Sequence, residues 1–472
     1  MPLILPGNVA SATAGAYSIA NSCRFDDGDT AYLSRTPGSD GNKKTFTISM
    51  WIKRGTLGTI SSTVSTLMAA GGAELSFYET VDPMKFYINA SHGHTTTALF
   101  RDTSSWYHIM QAVDTTQGAA DDRIKTYVNG IELTSFSSET TTPINTDSLF
   151  SSTSYAMTVS KASASFDGYM AEVIFIDGQQ LAPTSFGEFD EDSPTIWKPI
   201  DPSGLTFGTN GFWLDFEDSS ALGNDVSGNN NDMTVTDLVA ADQCTDSPTN
   251  NFCTLNPLDN YYWGATLSEG NCKVASGSNE TFMHGTFGVS KGKWYWEYLD
   301  KAATSLDEFG FSSSPSEATN DKTNNTTSGR KGAIYNNYSS GGITVDGTST
   351  TSGFDDFTTD SLIGVYMDLD NNLVYFAVDG TIQNSGTGIA ITAAASTNTG
   401  FYFPAIGEQA SGTMTVEVNF GNPVAAPTSA VADANGYGAF EYSPNDGGGS
   451  SFDSSAKNFY ALCTKNLAEF GG

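Results

Sequence analysis

The side chains able to do chemistry are few and scattered for a chain of 472 residues. Hydrolysis of a glycosidic bond needs two carboxyl groups facing one sugar, about 5–5.5 Å apart in retaining enzymes. On a strand that requires acidic residues at even spacing, because alternate side chains share a face. The nearest string, Glu188-Phe189-Asp190-Glu191-Asp192-Ser193, has no apolar alternation around it and reads as a solvated acidic turn. Four histidines add little. His92 and His94 flank Gly93 with no third ligand near in sequence, short of a tetrahedral metal site, and are expected as solvated loop imidazoles. His108, close to Trp106, is expected to pack within a strand, and His284 carries no specific signal. Asp368-Leu369-Asp370-Asn371-Asn372 begins like a calcium loop but lacks the glycine at its sixth position and the distal glutamate, which leaves a hairpin turn. The acidic sets Asp26-Asp27-Gly28-Asp29 and Asp215, Glu217, Asp218 with Asp225 concentrate carboxylate oxygens at turns. Neither a Gly-x-Ser-x-Gly elbow nor a P-loop string occurs. No catalytic constellation emerges, and the expectation is a protein that is not an enzyme.

Binding remains. Aromatic rings in polar loops grip sugars and protein epitopes, with amides and hydroxyls orienting the ligand. Tyr335-Asn336-Asn337-Tyr338, followed by Ser339-Ser340-Gly341-Gly342, fits that description and is the candidate ligand-binding loop. Tyr261-Tyr262-Trp263 is a richer aromatic run but sits where a first strand should lie, so core packing is expected there.

The elements that must position these residues are short strands. Thr45-Phe46-Thr47-Ile48-Ser49-Met50-Trp51-Ile52-Lys53 alternates cleanly, with Phe46, Ile48, Met50 and Ile52 on one face. Asn129-Gly130 joins Ile124–Val128 to Ile131–Leu133 as a two-residue hairpin, because both turn residues tolerate positive φ. Lys293–Leu299, Asp360–Asp368, Leu373–Val378 and Thr413–Phe420 form a second set. Between the sets, a turn-rich stretch from about 190 to 256 carries Pro194, Pro199, Pro202 and Pro248. No three-turn apolar stripe of helical period is present, so the class is all-β: two sandwiches in series. Asn251-Phe252-Cys253-Thr254 is echoed by Tyr460-Ala461-Leu462-Cys463-Thr464, pointing to a joint motif at a module's edge.

Composition closes off several functions. Twenty-one basic against fifty-three acidic residues give a net charge of -32, which repels phosphate backbones, so no nucleic-acid partner is expected. No window approaches the ~20 apolar residues of a membrane span. Met1-Pro2-Leu3-Ile4-Leu5-Pro6-Gly7 lacks a basic n-region and does not read as a signal peptide. Five cysteines in no metal-ligand spacing are expected as mostly free thiols of a protein made in a reducing cytoplasm, with a Cys244–Cys253 or Cys253–Cys272 bridge as the alternative.

Taken together, the pieces resemble known families. Phe46–Lys53, Trp106-Tyr107-His108, Tyr127-Val128-Asn129-Gly130 and Phe166-Asp167-Gly168-Tyr169-Met170-Ala171-Glu172-Val173 make residues 45–181 similar to the laminin-G-like, concanavalin A-like jelly roll. Gly292-Lys293-Trp294-Tyr295-Trp296-Glu297, Phe309-Gly310-Phe311, Ile363-Gly364-Val365, Asp379-Gly380, Phe403-Pro404 and Val418-Asn419-Phe420-Gly421 make residues 257–421 similar to a SPRY domain. The expected organisation is a laminin-G-like jelly roll over 1–240, a joint at 241–256, a SPRY domain over 257–425 and a C-terminal extension over 426–472. The pairing, with its two Cys-Thr motifs, resembles structural proteins of tailed bacteriophages, particularly marine ones.

That resemblance implies a virion protein made in the host cytoplasm, most often a tail-fibre or adsorption module touching a host-surface glycan or protein. It also implies other virion proteins as partners and a homo-oligomer, trimeric by analogy, although no heptad or collagen-like repeat specifies one. The alternative is a purely structural capsid decoration or tail-joint protein. A third reading, a polysaccharide depolymerase, is weakened because enzymes of this fold carry Glu-x-Asp-x-x-Glu and Ser193 stands where the last glutamate belongs. Related jelly rolls often bind calcium, which makes the two acidic sets separate candidate calcium sites, with Asp26 and Asp29 in one and Asp215 and Asp225 in the other.

Overall fold

The computed structural model describes residues 3–5 and 17–471, apart from 56, 58–63, 79–81, 162–163, 263, 278–279, 304–305, 316–329, 338–340, 351–352, 410–411 and 446–456. The chain divides into two compact units, Thr13–Thr249 and Asn250–Gly472, the latter joined by Met1–Ala12. Both are sandwiches of mainly antiparallel sheets, in agreement with the all-β expectation.

In the Thr13–Thr249 unit, one sheet runs Ile131–Leu133, Ile124–Val128, Tyr107–Asp114, Thr45–Arg54, Gly168–Asp177, Ser22–Phe25, Gln243–Cys244, and Phe212–Leu214 also pairs with Gly168–Asp177. The facing sheet runs Phe136–Thr140, Gly93–Leu99, Pro83–Tyr87, Ala73–Tyr78, Val64–Ala70, Met157–Val159, Tyr32–Arg35, Thr234–Thr236. Phe46, Ile48, Met50 and Ile52 lie in the core between the sheets as their alternation requires, against Phe86, Phe150 and Phe175. The outward residues of the same strand are buried too, because the segment after Asp177 folds back over them. Thr47 Oγ1 donates to Gln179 O at 2.8 Å, and Trp197 packs with Trp51 and Tyr169. Lys53 Nζ donates to Asp246 Oδ2 at 2.7 Å with both side chains out of solvent, and Trp106 Nε1 donates to the other oxygen at 3.0 Å. The proline-rich stretch is therefore a third layer of this unit, built on the polar outward face of the sheet. The Asn129-Gly130 turn forms as expected, with φ of 49° and 76°, and a Cβ at Gly130 would lie 2.4 Å from the Trp197 ring. The start and end of the unit are neighbours: Thr249 Oγ1 accepts from Ile19 N at 3.1 Å and donates to Ile19 O at 2.9 Å.

The second unit pairs a sheet ordered Leu255–Tyr262, Thr281–Gly285, Phe403–Glu408, Asp307–Ser312, Gly332–Asn336, Gly342–Val345, Thr348–Thr350 with one centred on Lys293–Ala302 and Leu362–Asp368. Trp294, Trp296 and Tyr298 fill the core between them. The echoing motifs meet: Phe252 bridges Cys463, Cys253 N donates to Leu462 O at 2.9 Å, and Thr464 N donates to Asn251 O at 2.8 Å. The C-terminal extension is part of this unit. Phe440 and Phe459 pack on Tyr295 and Tyr366 on the outer face, and Glu297 accepts the backbone N–H groups of Glu441 and Tyr442. Ile4 also belongs here, bridging Phe287, so the start of the chain, expected within the first jelly roll, joins the second unit. All five cysteines are buried, and none is in a disulfide. No helix among the described residues is long and apolar enough to cross a membrane.

Candidate functional site

The aromatic loop of the sequence reading is not a loop at Tyr335. That residue lies within the strand Gly332–Asn336, fully buried, its ring 5.4 Å from Phe376 and 5.5 Å from Phe357 and its hydroxyl donating to Asp355 O. Ala333 and Tyr335 are the inward half of a period-2 pattern, and tyrosine's amphipathic ring hid that in the sequence. Burial pushes its hydroxyl pKa up. Asn336 ends the strand half-buried, and Asn337 is buried with Oδ1 accepting from Asp307 N at 2.9 Å. Tyr338 lies outside the described residues.

The acidic turns are likewise organised by the backbone. Asp225, 6% exposed, accepts from Trp213 N and Ser227 N on Oδ1 and from Ser227 Oγ and Asn231 N on Oδ2, so its lone pairs serve the fold rather than a cation. Asp215 Oδ1 accepts from Glu217 N, Asp26 Oδ1 accepts from Gly28 N, and Asp29 is exposed. Among the described residues no three His, Cys, Asp or Glu side chains are grouped to hold a metal ion. Glu188 and Asp190 both face Lys198, at 3.4 and 3.7 Å, and Asp190 Oδ1 accepts from Asp192 N and Ser193 N. His108 is packed as expected, taking the Trp197 indole N–H on Nδ1 at 3.1 Å and bonding Ser49 Oγ through Nε2 at 2.8 Å.

Two groupings escaped the sequence reading. The first surrounds Glu172, which sits in a bulge of Gly168–Asp177 with φ of 51°. The pairing of Val173 with Leu214 brings it beside Asp215. Its carboxyl is 5% exposed, Tyr17 donates to Oε1 at 3.2 Å, and the Trp213 indole lies close without completing a hydrogen bond. Burial first, then the neighbouring Asp215 and Glu217 charges, raise its pKa to about 8.

The second is a cleft at the lateral opening of the first sandwich, lined by Gly93, His94, Ala120, Ile124, Glu139 and Thr140–Thr142, with about 270 Å³ of empty space counting that open to solvent. His94 is not a solvated loop residue. It lies in the strand Gly93–Leu99, 2% exposed, stacked on Phe136 with centroids 4.0 Å apart. Its Nε2 meets Thr126 Oγ1 at 2.6 Å, and that hydroxyl donates to Gln111 Oε1 at 2.6 Å, a polar chain crossing the core from one sheet to the other. Burial lowers the imidazole pKa to about 4, so the ring is neutral near pH 7. Glu139 is the cross-strand neighbour of His94 and stays exposed at the sheet edge. Arg123 frames the rim, donating to Gln117 O, Gly118 O and Thr142 O at 2.8–2.9 Å. Gly93 permits the close approach of Pro83–Tyr87, since a Cβ there would lie 2.1 Å from Phe86 O. The threonine run from Thr95 to Thr97 was the available strand signal, masked by the loop-like His-Gly-His triplet.

Residues 26–180, which hold most of this cleft's framework, match the concanavalin A-like lectin/glucanases superfamily, in its laminin-G branch. The first unit thus contains a concanavalin A-like domain. Among solved structures, the chain is similar to the SPRY domain of human HERC1 (17% identity over 35% of this chain and 96% of that one, TM-score 0.29). It is also similar to the PSpry domain of TRIM65 (13% identity, 36% and 92%, TM-score 0.28). A Bacteroides ovatus protein provisionally described as carbohydrate-binding is similar at 16% identity, over 47% of this chain and 60% of that one, with a TM-score of 0.31. No curated protein sequence matches.

Proposed function

We propose that the protein is a non-enzymatic component of a tailed-bacteriophage virion that attaches to a host-surface glycan through its first sandwich. The observation that carries the binding half is the match of residues 26–180, within the first sandwich, to a superfamily of lectin/glucanase type. The virion half is supported by the order of the two sandwich types and by the two Cys-Thr motifs, which hydrogen-bond to each other in the second unit. Display in several copies would convert weak single sites into useful avidity.

The test is saturable binding of fluorescent full-length protein to candidate host cells, with competition by soluble glycans and against phage adsorption. Saturable, glycan-competed binding that blocks adsorption supports the reading. No binding by a multimerised form at micromolar concentration refutes it and favours the purely structural role. Release of reducing sugar from the host glycan would instead make the protein a depolymerase.

A further inference from the structure

We propose that Asp300 and Asp307 form a proton-held clasp between the two sheets of the second sandwich, closed in acid and loosened as the pH rises. The clasp lies in the Asn250–Gly472 unit and stands apart from the glycan-binding reading.

Strand alternation brings the pair together. Along Lys293–Ala302, Trp294, Trp296 and Tyr298 point into the core, and Asp300 continues that row opposite the core residue Val416. Along Asp307–Ser312, Phe309 and Phe311 point inward from the facing sheet, which puts Asp307 at the head of their row. The chain passes from one sheet to the other between Ala302 and Asp307, so both carboxyls lie at the same end of the core. Both residues are fully buried. No N–H or hydroxyl completes a hydrogen bond to either carboxyl oxygen of Asp300 among the described residues, although the Ala302 N–H lies close. The side chain within reach is the Asp307 carboxyl. Two carboxyls sharing a dry site do not both ionise freely, and a proton on one makes it the donor that the other lacks.

The surrounding charges agree. No Lys, Arg or His pairs with Asp300 among the described residues. Its neighbour Lys301 donates instead to Asp360 Oδ1 at 2.6 Å, near Glu417 of Thr415–Asn419. On Phe403–Glu408, the buried Glu408 stands directly across from Asp307 and adds another carboxyl, with the neutral Thr281 as its partner on the far side. The Tyr298 hydroxyl donates to Gly310 O and Ala405 O, and Asn337 Oδ1 takes the Asp307 N–H. Burial first, then Asp307 and more weakly Asp360, pushes the Asp300 pKa up. The raised ionisation belongs to the pair rather than to one residue. A carboxyl with a folded pKa above its unfolded value stabilises fully below the unfolded value, and that stability is lost as pH rises toward the folded one. The seam is therefore tight in acid, and its second charge drives the two sheet ends apart at higher pH.

The experiment is hydrogen–deuterium exchange on the full-length protein from pH 5 to 8, read by mass spectrometry and corrected for the intrinsic base-catalysed rate. It compares the natural chain with Asp300→Asn, which keeps the shape and offers Asp307 a fixed N–H donor, and with Glu297→Gln. Glu297 lies on the same strand with its pKa raised to about 7, but it faces the C-terminal extension, so its variant separates the two groups. In the natural chain, peptides over Lys293–Ala302 and Asp307–Ser312 are expected to open more readily as pH rises, by up to about tenfold per pH unit. Asp300→Asn should abolish that rise and Glu297→Gln should keep it. Asp307→Asn takes the place of Asp300→Asn if that chain does not fold. Opening independent of pH in the natural chain, or a rise undiminished without the Asp300 carboxyl, would overturn the clasp. So would a rise that vanishes in Glu297→Gln. Loosening by EDTA at fixed pH would overturn the shared proton and assign the seam to a divalent cation.

Discussion

Replacing Glu172 by glutamine should change how stability depends on pH, and the size follows from its surroundings. The carboxyl is 5% exposed, and its pKa rises from 4.5 to about 8, chiefly through burial and then through Asp215 and Glu217. A carboxyl whose folded pKa lies above its unfolded value gives stability that is complete below about pH 4.5 and lost as pH rises toward 8. Each unit of that interval corresponds to about 1.4 kcal/mol, so the full loss approaches 5 kcal/mol before water penetration reduces it. Glutamine is neutral throughout and keeps an acceptor for the Tyr17 hydroxyl. The difference between natural chain and variant cancels every other titrating group. Urea unfolding of the full chain, followed by tryptophan fluorescence from pH 5 to 8, should therefore show the variant gaining on the natural protein by about 1 kcal/mol or more per pH unit. Parallel stability curves across that range would show that Glu172 ionises freely, and that its burial beside Trp213 is not as described.

The remaining expectations are simpler. Asp246→Ala removes a buried carboxylate partner of both Lys53 and the Trp106 indole and should cost about 3–5 kcal/mol in urea unfolding, whereas Lys53→Met with Asp246→Leu should recover part of it. Gly93→Ala places a methyl group against Phe86 O and should cost about 1–3 kcal/mol or more, read from the thermal midpoint, with the cleft distorted. Tyr335→Ala should lose about 3–5 kcal/mol of stability as a core residue, while Tyr335→Phe should lose only about 1 kcal/mol and leave glycan binding unchanged. His94 and His108, with pKa values lowered to about 4 and about 3 by burial, are neutral in the folded chain. Unfolding takes up protons below about pH 6.5, so stability should fall as pH drops toward 4, less steeply in His94→Gln.

Strands with strict alternation were legible in the residues alone: Thr45–Arg54, the Asn129-Gly130 hairpin and Lys293–Ala302 stand where period and turn chemistry put them. The candidate site was not, for a physical reason. A cross-strand pair such as His94 and Glu139 is separated by forty-odd residues, and only the register joins them. Tyr335 misled because an amphipathic ring beside two asparagines looks the same whether its strand turns inward or its loop faces water. The third layer over the first sheet was hidden by prolines and glycines that punctuate a packed segment as readily as a linker. The polar residues opposite the apolar stripe were its trace: Thr47 and Lys53 each hold that layer by a hydrogen bond.

The hydrogen bonds between Ile19 and Thr249 carry a consequence for descent rather than for binding. A stretch that begins and ends at one point can be cut out of a gene and replaced by another of the same kind, with little disturbance to the chain on either side. Ile4 and the strands after Asn250 belong to one sandwich, so the 13–249 segment is an insertion in sequence terms. Recombination at those two seams would exchange the inserted sandwich wholesale while the recipient sandwich kept its own core.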